Sequence, residues 1–121
     1  MKNKTEQKAM EIVMKYEKEQ GRKPENVSYS KRSYDIKSKG RQIEVKGHNK
    51  IANWCRLNDY NMKAFYRERN YYLYIVFVNS KEILILNKNK VGEKLASCKI
   101  SPVYDIKLNK EDKEEKIIKI K

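Results

Sequence analysis

Cysteine, proline and glycine are scarce in this chain, at two, two and four of 121 residues. Cys55 and Cys98 lie far apart with no CxxC pair and no histidine-rich company. That excludes a zinc site of ordinary spacing and a disulfide scaffold; two semi-buried thiols in a reducing compartment are the plain reading. There is one histidine and one tryptophan. No apolar run approaches the roughly 18 residues of a membrane span, so no membrane partner is expected. The opening MKNKTEQKAM lacks a signal-peptide apolar region, which predicts a cytoplasmic setting. Neither a Walker loop nor a Rossmann fingerprint is present. Acids are also short: 16 carboxylates face 29 lysines and arginines, leaving a formal charge of +13.

What is there points first to an anionic partner. Nucleic acid leads, with anionic lipid or acidic protein behind it; a lysine-rich compositional bias gives the same count. At 39% apolar residues the chain supports one hydrophobic core.

Helical spacing of Ala9, Val13 and Tyr16 predicts a helix over 4–20, stopped by Gly21 and Pro24. Short β-prone stretches follow at 27–30 and 34–38, then a Lys39-Gly40 turn and an alternating strand over 41–46. Residues 51–57 read as extended. Asn58 reads as the N-cap of a helix reaching about Arg69. The run Tyr71 to Val78 suits a central strand buried on both faces. A neighbouring strand at 83–86, a short helix at 90–96 and a strand at 103–108 complete the pattern. The expectation is an α/β (α+β) domain over 1–108, with a mixed sheet of about five strands flanked by the N-terminal helix and a second helix. Residues 109–121 read as a frayed or partner-dependent charged tail.

One polar cluster has a spacing with mechanical meaning. Side chains alternate along a strand, so Glu44 and Lys46 share a face while Ile43 and Val45 take the other. A two-residue Lys39-Gly40 loop pairs Ser38 with Arg41 and so sets Asp35 opposite Glu44. Carboxylates about 5 Å apart repel by about 3 kcal/mol at an effective dielectric near 20. A nearby lysine offsets part of this, and a bridging divalent cation reverses its sign. Phosphodiester hydrolysis asks for that set: two acids for Mg²⁺ or Mn²⁺, and a lysine for the nucleophile or the developing charge. The same spacing also fits exposed hairpin carboxylates paired with the abundant lysines.

Glu6-x-x-Ala9, Val13-Met14-Lys15-Tyr16-Glu17, Gly21-Arg22, Val27-Ser28, Tyr34-Asp35-Ile36-x-Ser38 and Arg41-x-Ile43-Glu44-Val45-Lys46-Gly47 together resemble the NO VEIN C-terminal domain. The resemblance runs more loosely through Leu57-Asn58-x-x-Asn61-x-x-Ala64 and Tyr72-Leu73-Tyr74-Ile75-Val76, fading after about Leu108. That domain occurs beside helicases and in restriction-like proteins and is similar to the PD-(D/E)xK nucleases. The resemblance implies a restriction-endonuclease-like fold, with Asp35 and Glu44 as metal-binding acids, Lys46 as catalytic lysine and Glu6 as a further acid from the first helix. Glu17 is better read as a structural partner of Arg22. Two departures stand out: Ser33 where the family has glycine, and Asn58-Asp59-Tyr60-Asn61 where it has threonine-x-x-glutamate.

Lys37, Lys39, Arg41, His48 and Lys50 surround the acids in sequence and form the expected nucleic-acid contact set. His48 is equally readable as a loop histidine. Trp54 reads either as a core or edge-strand residue or as a base-stacking ring beside Arg56. The functional expectation is a Mg²⁺- or Mn²⁺-dependent nuclease acting on DNA. Its rival is a non-catalytic DNA-binding or scaffold module of the same fold, serving a helicase or restriction-system partner. A weaker third reading is a basic RNA-associated protein with an incidental motif. Cutting both strands of a duplex would favour a homodimer.

Overall fold

A computed structural model describes residues 3–30, 32–96, 103–108 and 117–119. In chain order these form α1 (Lys4–Glu19), β1 (Glu25–Asn26), β2 (Ile36–Ser38), β3 (Arg41–His48), β4 (Trp54–Asn58), α2 (Asp59–Arg67), β5 (Tyr71–Phe77), β6 (Glu82–Asn87), α3 (Lys88–Ala96), β7 (Val103–Lys107) and β8 (Ile117–Lys119). The fold is mixed α+β. Its main sheet has the order β1-β2-β3-β5-β6-β8, and β4 pairs with β7 in a separate ribbon. β3 and β5 run parallel, while the other pairs are antiparallel.

The apolar run of β5 explains the centre. Both of its faces are buried, because the sheet is covered on both sides. Tyr74 and Val76 pack with Ala9, Val13, Ile43 and Val45 beneath α1. Tyr71, Leu73, Ile75 and Phe77 pack with Cys55, Leu57, Met62, Ala64 and Ile106 beneath α2 and the β4–β7 ribbon. Asn3 caps α1 by accepting the Glu6 N–H, and Gly21 ends the helix at φ +78°.

Gly47 sets how closely α1 lies on β3. A Cβ there would come within 2.9 Å of Ala9 Cβ and 3.3 Å of the Thr5 carbonyl oxygen. Beside that contact, Thr5 Oγ1 donates to Asn49 Oδ1 at 2.9 Å.

The structure differs from expectation in two elements, while Lys88–Ala96 is the short helix expected at 90–96. β1 falls at 25–26 rather than 27–30, where the chain turns instead. Within the supposed tail, residues 117–119 are an edge strand paired to β6, and Ile118 packs on the α1-side core. The apolar side chain of Ile118 gives this strand what the charged residues before it lack. Cys98 and residues 109–116 lie outside the described residues. Among the described residues no helix is long and apolar enough to cross a membrane.

Candidate active site

β3 divides the molecule by parity. Ile43 and Val45 face α1, whereas Glu44, Lys46 and His48 face the α2 side, level with Leu73, Ile75 and Phe77 of β5. A polar row thus runs down a face that is otherwise core. Glu44 is only 4% exposed.

Asp35 joins Glu44 by a route that simple pairing does not foresee. The hairpin has the expected register, with Ile36 opposite Ile43 and Ser38 opposite Arg41, and Gly40 takes φ +74° in the turn. The ladder ends there. The Asp35 N–H donates to the Ile43 carbonyl (2.9 Å), and Asp35 Oδ2 accepts the Val45 N–H (2.9 Å). Val45 N–H points toward the vacated ladder position, and the carboxylate replaces the backbone acceptor that β2 no longer supplies. A charge-assisted bond therefore fixes Asp35, 9% exposed, against the backbone between Glu44 and Lys46.

Lys46 is held in turn. Its Nζ donates to Asn61 Oδ1 at 2.9 Å, and the same oxygen accepts the Asn58 N–H at 3.1 Å. Asn61 N–H donates back to Asn58 Oδ1 at 2.9 Å, closing a capping box at the start of α2. Tyr60 of the same turn donates to the Arg32 carbonyl at 3.0 Å, tying α2 to the segment that leads into Asp35.

Two neighbours report the local field. Burial raises the Tyr71 phenol well above its ordinary range, and the charges of Glu44 and Asp35 push the same way. Burial likewise pushes the Cys55 thiol up to about 12, with Lys46 opposing and Glu44 adding. The Tyr71 hydroxyl is buried and, among the described residues, has no hydrogen-bond partner.

The other predicted residues scatter. Glu6 is exposed near the start of α1, and that helix covers the opposite face of β3. Spacing put it on the stripe of Ala9 and Val13, but in the first turn Thr5 lies against Gly47 of β3 and Glu6 is exposed. Arg41 also lies on the α1 face by alternation. It donates to Tyr74 Oη (2.7 Å) and stacks 4.2 Å over the Tyr72 ring. Lys37, opposite Gln42, is exposed on the Glu44 face; Lys39 sits at the hairpin tip and Lys50 in the turn after β3, both exposed. His48 is half-buried, edge-on to Trp54 and stacked on Phe77, and desolvation holds its pKa below 6.5. Glu17 pairs with Arg22 as expected, at 2.6 and 2.8 Å.

Sequence reasoning missed Asn61 and Tyr71. Asn61 had a signal, since Asn58-x-x-Asn61 is a capping-box spacing, but its bond to Lys46 is tertiary. The two departures from the family pattern are absorbed. Ser33 is buried without a left-handed φ, so its turn does not need glycine. Asn61 stands where the family has glutamate and takes the capping role.

Mg²⁺ is commonly held by one or two carboxylates, with water and phosphate oxygens completing its shell. Asp35 and Glu44 are the residues that could supply them, and among the described residues the buried Tyr71 hydroxyl, which feels both charges, finds no hydrogen-bond partner. Among the described residues no group of three or more His, Cys, Asp or Glu gathers into a metal site.

Residues 5–87 match the model of the family described as Protein NO VEIN, C-terminal. No curated protein and no solved structure matches the chain.

Proposed function

We propose that this chain, which belongs to the NO VEIN C-terminal family, is a metal-dependent nuclease that hydrolyses the phosphodiester backbone of DNA. The observation that carries the reading is the docking of Asp35 on the Val45 N–H, which puts it beside Glu44 and Lys46 on one polar row. Isolated hairpin carboxylates would be solvated, whereas these two are buried. The ordered likeness is to the NO VEIN C-terminal domain, and the spacing of Asp35, Glu44 and Lys46 is similar to the PD-(D/E)xK pattern, which supports the same reading.

Asp35 and Glu44 would hold Mg²⁺ or Mn²⁺. When bound, the ion supplies charge neutralisation for the phosphate and acidifies a coordinated water. Lys46 offers a fixed ammonium to the nucleophile or to the charge that develops on the phosphoryl oxygens. Asn61 aims that ammonium with a neutral acceptor, leaving its charge for the substrate. Water and phosphate oxygens would complete the shell where Glu6 was expected.

A plasmid-nicking assay with Mg²⁺, Mn²⁺ or EDTA tests the reading, comparing wild type with Asp35→Ala and Lys46→Ala. Metal-dependent nicking that both variants abolish, with DNA binding retained, is the expected result. Unchanged cleavage by Asp35→Ala overturns it.

The second reading is a non-catalytic DNA-binding module serving a helicase or restriction-system partner. It is favoured by the two-carboxylate set, which no third acid joins among the described residues. Wild type would then bind DNA with steep salt dependence and nick with neither metal.

A further inference from the structure

We propose that the outer face of the β4–β7 ribbon is a stacking platform for an unpaired nucleic-acid base, centred on Trp54. β4 alternates cleanly: Cys55 and Leu57 are buried against the main sheet, while Trp54, Arg56 and Asn58 face outward. On β7, Lys107 lies opposite Trp54 and Asp105 opposite Arg56. The indole is 48% exposed, on a ribbon whose inward residues Cys55, Leu57 and Ile106 are buried.

The ring is nevertheless braced. His48 meets it edge-on, with centroids 5.2 Å apart at 71°, and His48 is itself stacked on the buried Phe77 at 6.4 Å. The Arg56 guanidinium sits 5.8 Å from the indole centroid and is fixed by Asp105 through bonds of 2.9 and 3.2 Å. Lys94 reaches from α3 to the Lys107 carbonyl at 2.8 Å, bringing another cation to the same edge. Three cations and one carboxylate thus frame a preorganised aromatic face. A hydrophobic protein contact would want apolar neighbours around the ring, whereas these suit a base with phosphates on either side.

Position adds to the case. His48 continues the row of Glu44 and Lys46 along β3, so the platform lies at the end of the candidate active-site face. A paired base in a duplex has no free face to offer, so the platform selects single-stranded or locally opened nucleic acid. This inference concerns binding and stands apart from cleavage.

Trp54 is the single tryptophan of the chain, so its emission reports on this face alone. The full chain, in EDTA to prevent cleavage, is titrated with a single-stranded oligothymidylate, a blunt duplex of equal length and inorganic polyphosphate. Affinity is read in parallel by anisotropy of labelled DNA. Saturable quenching by the single strand is expected, with weaker quenching by duplex and little by polyphosphate. Trp54→Leu should weaken single-strand binding about tenfold or more, and Trp54→Phe should recover part of the loss. Equal quenching by polyphosphate, or unchanged single-strand affinity in Trp54→Leu, overturns the proposal. So does ring burial traced to self-association. If Trp54→Leu does not fold, wild-type quenching and Trp54→Phe decide. A protein that never nicks DNA yet shows Trp54-dependent binding refutes the nuclease reading and upholds this one.

Discussion

The Lys46 ammonium and the Asn61 side-chain carbonyl meet at 2.9 Å, joining the catalytic candidate of β3 to the cap of α2. One amide oxygen therefore serves a helix start and a charged side chain together. Asn58→Ala removes the cap acceptor alone, whereas Asn61→Ala removes the cap partner and the lysine tether. Both are expected to cost about 1 kcal/mol of stability. Only Asn61→Ala should also lower metal-dependent nicking, by about tenfold. Equal nicking by the two variants would reduce Asn61 to a cap.

Glu17 gives stability a definite acid limit. Its carboxylate is fully buried, and burial alone would raise its pKa. Hydrogen bonds from Arg22 and Tyr74 outweigh burial and hold it below 4.5. A depressed folded pKa means stability that is present above the unfolded value and is lost as pH falls through the folded one. Urea midpoints should therefore decline as pH drops below 4.5. Glu17→Ala should lower stability at pH 7 by about 3 kcal/mol and flatten that decline.

Gly47→Ala should destabilise without touching the chemistry. Its new methyl would press on Ala9 and the Thr5 carbonyl, on the face opposite Glu44 and Lys46. A loss of about 1–3 kcal/mol is expected from overpacking, measured by urea unfolding. Combining it with Ala9→Gly should cost less than the two single losses added, because the pair shares one contact.

Cys55 should be chemically silent in the folded protein. With its thiol pushed up to about 12 and its side chain buried, almost no thiolate exists at pH 8. A disulfide-exchange reagent at pH 8, read peptide by peptide in a mass spectrometer, should leave Cys55 unmodified until urea is added.

How much of this was visible in the sequence depends on what each feature rests upon. The hairpin register was legible because Lys39-Gly40 forces it locally, and β5 because eight consecutive apolar residues leave little choice. The break at Asp35 was not, since it arises when a side chain outcompetes a strand for one backbone N–H. Arg41 was misassigned although alternation alone puts it across the sheet from Glu44; proximity in sequence was given too much weight. Glu6 was placed wrongly for a different reason. Spacing groups it with Ala9 and Val13, but does not say which residue of the first turn meets β3, and Thr5 takes that place against Gly47. The Lys46–Asn61 bond and the exposure of Trp54 depend on how β4 folds back over β3, which no local pattern carries.

The ribbon has a consequence for excision. The family match ends at residue 87, whereas all five residues of β4 are paired to β7 at 103–107. A fragment trimmed to the matched span would keep Asp35, Glu44 and Lys46. It would also leave Trp54–Asn58 as a raw sheet edge and strip Ile106 from the core that holds Cys55 and Leu57. Such a fragment is expected to clump rather than report on the site. The stretch that shows kinship is shorter than the stretch that closes the β4–β7 ribbon.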